Sequence, residues 1–283
     1  MIFKGYIYIY MFIVFSLTAH ENLECLYDLL TNIKKCFIHY DILILLSITE
    51  NLYDEKLKTY DFVKCVTIRP TNSQIWGNID LFNQHILNMK YIYDNNITYD
   101  YFWFVASNEL FIKIIPPNFL NNNCIKKLHK KQINDNDYDT YFKNLMNNTH
   151  SWNWIDSAKK DKHFMNYIYA NKFIIVSCQH EGLVISSDII LEIFNEYNTN
   201  KLYENSTFKD YVMEEIFIST YLTNKYELSH SNTFCFIYSY TMSYNYDTSY
   251  EEIEKNLECH HVSIKPVKRD YNNPVREHIR NMN

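Results

Sequence analysis

The stretch Tyr211 to Leu222, YVMEEIFISTYL, sets two adjacent carboxylates, Glu214 and Glu215, inside an otherwise apolar run of helix length. At a period of 3.6 residues Glu215 shares a stripe with Tyr211, Ile218 and Leu222, so a helix would carry its carboxylate toward apolar packing. Burial of a carboxylate raises its pKa, which is how proteins make a general base that works near neutrality. The competing reading is a partly exposed helix whose two glutamates reach back to water.

Four further groups of residues have chemical types worth placing. Gln179-His180-Glu181-Gly182 follows the apolar run Lys172 to Cys178. With only 3 Gly in 283 residues, Gly182 is expected at a turn of special geometry. Glu181 and Gly182 there could meet a polar ligand, or the turn could hold none. Near the C-terminus, IKPVKRDYNNPVR groups Lys265, Lys268 and Arg269, with Pro266 limiting local freedom and Arg269 offering a phosphate fork. Its plainer reading is a basic segment that keeps the chain soluble. The acidic motif Asp135-Asn136-Asp137-Tyr138-Asp139 lies in an Asn-, Lys- and Asp-rich stretch away from any strand end, so it reads as a solvated loop and no metal site is expected. Trp152 and Trp154 could stack on a ligand or pack in the core.

Composition bounds the class. A chain with 47% hydrophobic and 21% charged residues can bury a sizeable core. The 26 Tyr and 18 Phe accompany abundant Asn and Ile, the pattern of an AT-rich coding bias, so aromatic stripes are discounted as binding surfaces. A net charge of −6 with dispersed Lys and Arg argues against a nucleic-acid binder. Seven cysteines without a CxxC pair suggest reduced thiols and a cytoplasmic setting. Asn96, Asn147 and Asn205 head sequons that chance explains in so Asn-rich a chain.

The elements that must position these groups follow from periodicity. Lys4 and the apolar residues after it read either as a leader or short anchor for the secretory pathway, with mature protein beginning near His20, or as a buried first strand. The strand is preferred, because Tyr8, Ile9, Phe12, Ile13, Val14 and Phe15 are β-formers and lead into the helical pattern Leu23, Leu26, Tyr27, Leu30. Tyr40–Ile48 and Phe62–Ile68 read as strands and Asn78–Tyr93 as a helix. Tyr99–Ile114 reads as a buried strand broken at Ala106-Ser107-Asn108-Glu109. Residues 121–160 read as a polar loop insertion with a short helix, residues 172–186 as a strand and turn, and Ser187–Tyr197 as a helix. Alternation of this kind predicts one α/β domain over residues 1–283, with a mixed, mostly parallel sheet flanked by helices and ligands at the carboxyl ends of the strands.

These residues, in this order, resemble the core-2/I-branching glycosyltransferases, a family that includes β-1,6-N-acetylglucosaminyltransferases and peptide O-xylosyltransferases. The resemblance covers most of the chain. It rests on Thr18-Ala19-His20, Ile75-Trp76-Gly77, the broken strand with Ser107, Glu109 and Lys113 in step, and Val184-Ile185-Ser186-Ser187. Glu214-Glu215 followed by Thr220 is similar to the family's Asp-Glu-x4-Thr signature, and Ser263-Ile264-Lys265 to its late lysine segment. The second strand carries Leu45-Leu46-Ser47 where the family has a His-x-Asp, and Thr233–Tyr238 lacks the arginine that accompanies the late lysine.

The resemblance implies a GT-A fold and an inverting, metal-independent transfer of a sugar such as GlcNAc or xylose. The donor would be a UDP-sugar, with no other cofactor, and the acceptor a glycan or glycoprotein. Glu215 becomes the catalytic base. Lys265, Lys268, Arg269, His20 and Glu109 fall on the donor side, and Glu181, Gly182, Glu214 and Trp76 on the acceptor side. The alternative is a non-catalytic glycan-binding or interaction protein that keeps the fold.

Overall fold

The computed structural model describes residues 11–20, 22–71, 77–120, 135–150, 153–226, 235–237, 248–259 and 261–282. The expected strand at the N-terminus forms β1, Phe12–Ala19, buried on both faces along nearly all its length. Such two-sided burial is what a central parallel strand requires, and it explains the near-continuous apolar run. Removal of the chain before His20 would therefore delete the middle of the sheet. Residues 1–10, including Lys4, Tyr8 and Ile9, lie outside the described residues.

Helix α1, Leu23–Cys36, follows at once; the Asn22 side chain accepts from the Cys25 N–H, and Lys34 and Lys35 sit in the last turn. Strands β2 (Asp41–Thr49) and β3 (Val63–Arg69) come next, joined by two short 3-10 turns. Helix α2, Asp80–Asp94, leads to β4, Tyr101–Ala106, and the expected break separates β4 from β5, Leu110–Phe111. The main sheet runs β3-β2-β1-β4-β6, where β6 is Val184–Ser186. Strands β1 to β4 pair in parallel and β6 antiparallel to β4, so the sheet is mixed and mostly parallel, as expected. A smaller sheet of β5, β8 (Ser263–Lys265) and β7 (Cys235–Ile237) lies beyond the break.

Alternation along the strands divides the core. Ile13, Phe15, Leu17, Ile44, Leu46, Trp103 and Val105 pack with α1 and the C-terminal helix α9, Pro274–Met282. Val14, Leu45, Phe102 and Phe104 face α2, α6 (Ser187–Thr199) and α7 (Met213–Lys225). On that second face Ser16 and Ser47 are buried too, and α2 answers them. Asn88 donates to Ser16 Oγ at 2.8 Å, His85 Nδ1 bonds the same hydroxyl at 2.7 Å, and Ser47 donates to Gln84 at 2.9 Å.

Two expectations need correction. The segment expected as a polar loop with one short helix contains two, α3 (Asp135–Asn147) and α4 (Asn153–Ala158), followed by α5 (Lys162–Ala170). Tyr138, Tyr141, Phe142 and Leu145 form an i, i+3, i+4, i+7 stripe that Asn and Asp neighbours conceal in the sequence. Buried Tyr138 donates its hydroxyl toward the Ile168 and Phe173 carbonyls, both at 3.0 Å. The acidic motif 135–139 is thus the first turn of a helix rather than a loop, with Asp137 and Asp139 exposed.

Second, the apolar run Lys172–Cys178 makes no ladder; only Val184–Ser186 of that region is a strand. Helix α7 serves its backbone instead, through side chains and one carbonyl. Val176 N–H donates to Thr220 Oγ1 at 3.0 Å, Ile174 N–H to Asn224 Oδ1 at 2.9 Å, and Cys178 N–H to the Glu215 carbonyl at 2.9 Å. Among the described residues no helix is long and apolar enough to cross a membrane.

Candidate active site

Five of the expected site residues meet in one buried cluster, although they come from four separate stretches of chain. Glu214 and Glu215 occupy the first turn of α7, where a helix N-terminus favours negative charge. They are 1% and 8% exposed, so the reading in which both reach water does not hold. The reason is that α7 is buried on nearly every side: Met213, Ile216, Phe217, Ile218, Tyr221 and Leu222 are all core residues. Its first turn abuts the turn Gln179–Gly182, and Gln179 Nε2 donates to Glu215 Oε1 at 2.9 Å.

That turn lies against the end of β4, for Gly182 N–H donates to the Phe104 carbonyl at 3.0 Å. Gly182 has φ +72, and a Cβ there would stand 2.4 Å from the Cys235 backbone nitrogen. The expected special geometry is present, and its cause is the close passage of β7. The space beside the Gly182 α-carbon is filled by this strand. Glu181 forms an ion pair with Lys265 through Oε1, and its Oε2 lies 3.6 Å from His180 Nδ1.

Glu109 comes from the break after β4. Its carboxylate accepts from Ser263 Oγ at 2.5 Å and from Ala106 N–H at 3.1 Å. The late segment runs alongside this break: Val267 N–H donates to the Asn108 carbonyl at 2.8 Å, and Leu110 pairs with Ile264. Lys265 is thereby delivered to the cluster by β8.

Four carboxylates share the cluster with one lysine, and their protonation separates accordingly. Burial pushes Glu109 up to about 7 despite its two hydrogen bonds. Burial also drives Glu214 well above the usual carboxylate range, reinforced by the neighbouring Glu215 charge. Burial acts on Glu181 in the same direction, but His180 and Lys265 outweigh it and hold the group at about 2. Burial keeps His180 below its ordinary value and hence neutral near pH 7. Burial and charge thus pull the carboxylates apart, Glu181 toward the ionised form and Glu214 toward the protonated one, with Glu109 between them.

Other expected residues gather beside it, at the carboxyl ends of the strands. His20 follows β1 and is half-buried. Arg269 Nη2 donates to Ser107 Oγ at 3.1 Å, and its carbonyl accepts from Asn22 Nδ2 at 3.4 Å. Lys268 is exposed, with its carbonyl held by Arg276 Nε at 2.5 Å. Lys113 departs from the site: its Nζ donates to the Leu257 and Cys259 carbonyls at 3.2 and 2.6 Å, where α8 (Tyr250–Leu257) ends. Thr220 braces Val176 rather than facing the cluster. Trp154 is partly buried against the core, and a Cβ at Gly77 would stand 3.3 Å from its ring. Ile75, Trp76 and Trp152 lie outside the described residues.

Sequence reasoning gave no role to three participants. Gln179 and His180 sit in the tetrapeptide that yielded Glu181, and their proximity was the available signal. Arg69, at the end of β3, donates to Ser47 Oγ and to the Ala19 carbonyl, each at 3.2 Å, tying three strand ends together. Nothing in its spacing announces that position. Against models of known protein families and against curated proteins, the chain has no match. Among the described residues no two cysteines are joined in a disulfide.

Proposed function

We propose that this chain is an inverting glycosyltransferase of the nucleotide-sugar-binding GT-A type, akin to the core-2/I-branching enzymes, with Glu215 as general base. The observation that carries this reading is the convergence of Glu215, Glu214, Glu181, Glu109 and Lys265 beside the carboxyl end of β4. Strand order reverses between β1 and β4, and open α/β sheets bind their ligands at such a point. In the reaction the acceptor hydroxyl gives its proton to Glu215 as its oxygen attacks the anomeric carbon. The bond from that carbon to the diphosphate breaks, and its electron pair leaves with the nucleotide diphosphate. Gln179 orients the Glu215 carboxylate, and neutral Glu214 adds no second negative charge beside it. Lys265, Lys268, Arg269 and His20 supply the positive and polar groups that face a departing diphosphate without a metal.

A second reading, a glycan-binding protein without turnover, draws on Lys265 being paired to Glu181. The two readings separate in one assay: release of nucleotide diphosphate from a panel of UDP- and GDP-sugars with a mixed glycan acceptor, with and without EDTA. The transferase reading expects EDTA-resistant release from one donor, falling about 100- to 10,000-fold in kcat in Glu215→Gln while the fold is kept. Release that Glu215→Gln leaves unchanged would remove Glu215 as base, and absence of release from every donor would favour the binding protein.

A further inference from the structure

We propose that His180, Glu181 and Glu215 form a site for a borderline divalent transition metal, best filled by Zn2+. One ligand atom from each residue, an imidazole nitrogen and two carboxylate oxygens, lies within 4.8 Å of the others, and all three residues are buried. The second observation concerns the atoms that His180 and Glu181 turn toward this point. His180 Nδ1 and Glu181 Oε2 are both buried without a hydrogen bond, 3.6 Å apart, in residues each only 5% exposed. Buried polar atoms in native proteins almost always have partners, so a pair of orphans facing each other marks a place for a bound group.

Gln179 Oε1 is orphaned as well, and rotation of that amide would offer a neutral oxygen for a fourth position. One imidazole with two or three oxygens, few in number and buried, suits zinc; magnesium and calcium prefer more oxygens and keep waters. Metal–ligand bonds of about 2 Å require the three atoms to draw in by about 1 Å, which carboxylate rotation can supply. Lys265 need not leave, because it holds Oε1 of Glu181 and the orphan is Oε2. Its ammonium opposes the ion electrostatically and so tunes the affinity downward.

On the transferase reading, and resting on it, the ion would occupy the base carboxylate and act as an inhibitor removable by chelation. Site and enzyme can fail separately, so the test measures binding first. Equilibrium dialysis of the full chain against Zn2+, with Mg2+ as control, compares the wild type with His180→Gln, Glu215→Gln and Lys265→Met. Thermal unfolding with and without zinc reports folding in each.

The expected result is one tight Zn2+ per wild-type chain, weakened at least about tenfold in His180→Gln and in Glu215→Gln, with no comparable Mg2+ binding. Lys265→Met should unfold at a lower temperature, bind zinc more tightly and recover stability when zinc is added. Equal zinc binding by wild type and both ligand variants, or none by the folded wild type, would overturn the site. If either ligand variant fails to fold, the other and the zinc rescue of Lys265→Met decide. Zinc binding in a protein that never releases nucleotide would sink the transferase and leave the site standing; transfer with no zinc binding would do the reverse.

Discussion

Asp28 and Arg276 meet between α1 and α9 with side chains 3% and 0% exposed, at 2.8 Å, and are at least as buried as Glu181 and Lys265. The surroundings of the two pairs differ. Asp28 has a second cation, Arg280, at 3.5 Å, and Arg276 also donates Nε to the Lys268 carbonyl. There positive charge is in excess of one carboxylate, and the arrangement fastens the last helix and the segment before it. Around Glu181 the excess is negative, four carboxylates to one lysine, with several atoms left without hydrogen bonds. A pair built to hold elements together is over-supplied with donors. The other cluster keeps carboxylates in unequal protonation states, which is what acid–base work requires and structural pairing does not.

Replacing Arg276 by Met should sharpen that contrast most, because it strands Asp28 in the core. Chemical denaturation should show a loss of about 3–5 kcal/mol, with Arg280 limiting it to the lower end. A loss below about 1 kcal/mol would mean that the pair does not brace the helix.

Next in size is a pH effect from Glu109. Its carboxyl stands at about 7 in the fold against 4.5 ordinarily. Between these values the unfolded chain has released the proton and the native chain holds it, so stability falls as pH rises through this window. The contribution approaches about 3 kcal/mol once the pH is above 7. Denaturation midpoints from pH 4.5 to 8 should slope downward in the wild type and less steeply in Glu109→Gln, where Glu214 still takes up a proton on folding. An unchanged slope would locate the effect elsewhere.

Thr220→Val removes the hydroxyl that serves both the N–H and the carbonyl of Val176, and should destabilise by about 1–3 kcal/mol. It should also raise amide exchange along residues 173–178. The smallest effect belongs to Glu214→Gln. A carboxyl that burial keeps protonated is nearly isosteric with an amide, so at about pH 4, where the unfolded chain largely holds the proton too, unfolding should shift by less than about 1 kcal/mol. A large destabilisation at that pH would show that Glu214 is ionised in the fold, held by charge interactions that the amide cannot make.

Strands β1 to β4 and helices α1, α2, α6 and α7 were legible because each is a run whose period matches its burial. Other stretches were not. Lys172–Cys178 has the composition of a strand, yet its backbone groups find Thr220, Asn224 and Ser219 on α7 in place of a neighbouring strand. Local propensity cannot reveal this, since the competing partners lie more than forty residues away. The α3 stripe was hidden by polar neighbours that face solvent.

Within the site, Glu215 stood out because a carboxylate in an apolar helix conflicts with its surroundings. Gln179, His180 and Ser263 carried no such conflict. Their parts arise from contacts to Glu215, Glu181 and Glu109 that exist only in the folded chain.

By itself the sequence determined a mixed α/β sheet, a buried-face candidate at position 215, and a constrained glycine at 182. These depend on periodicity, hydrophobicity and glycine scarcity, all local properties. Only the tertiary structure decided that Glu109 and Ser263, 154 residues apart, share a hydrogen bond, and that Lys265 answers Glu181 across 84 residues. It also decided which carboxylates keep their protons. Desolvation and charge depend on every atom packed around a group, and that packing is a property of the folded chain.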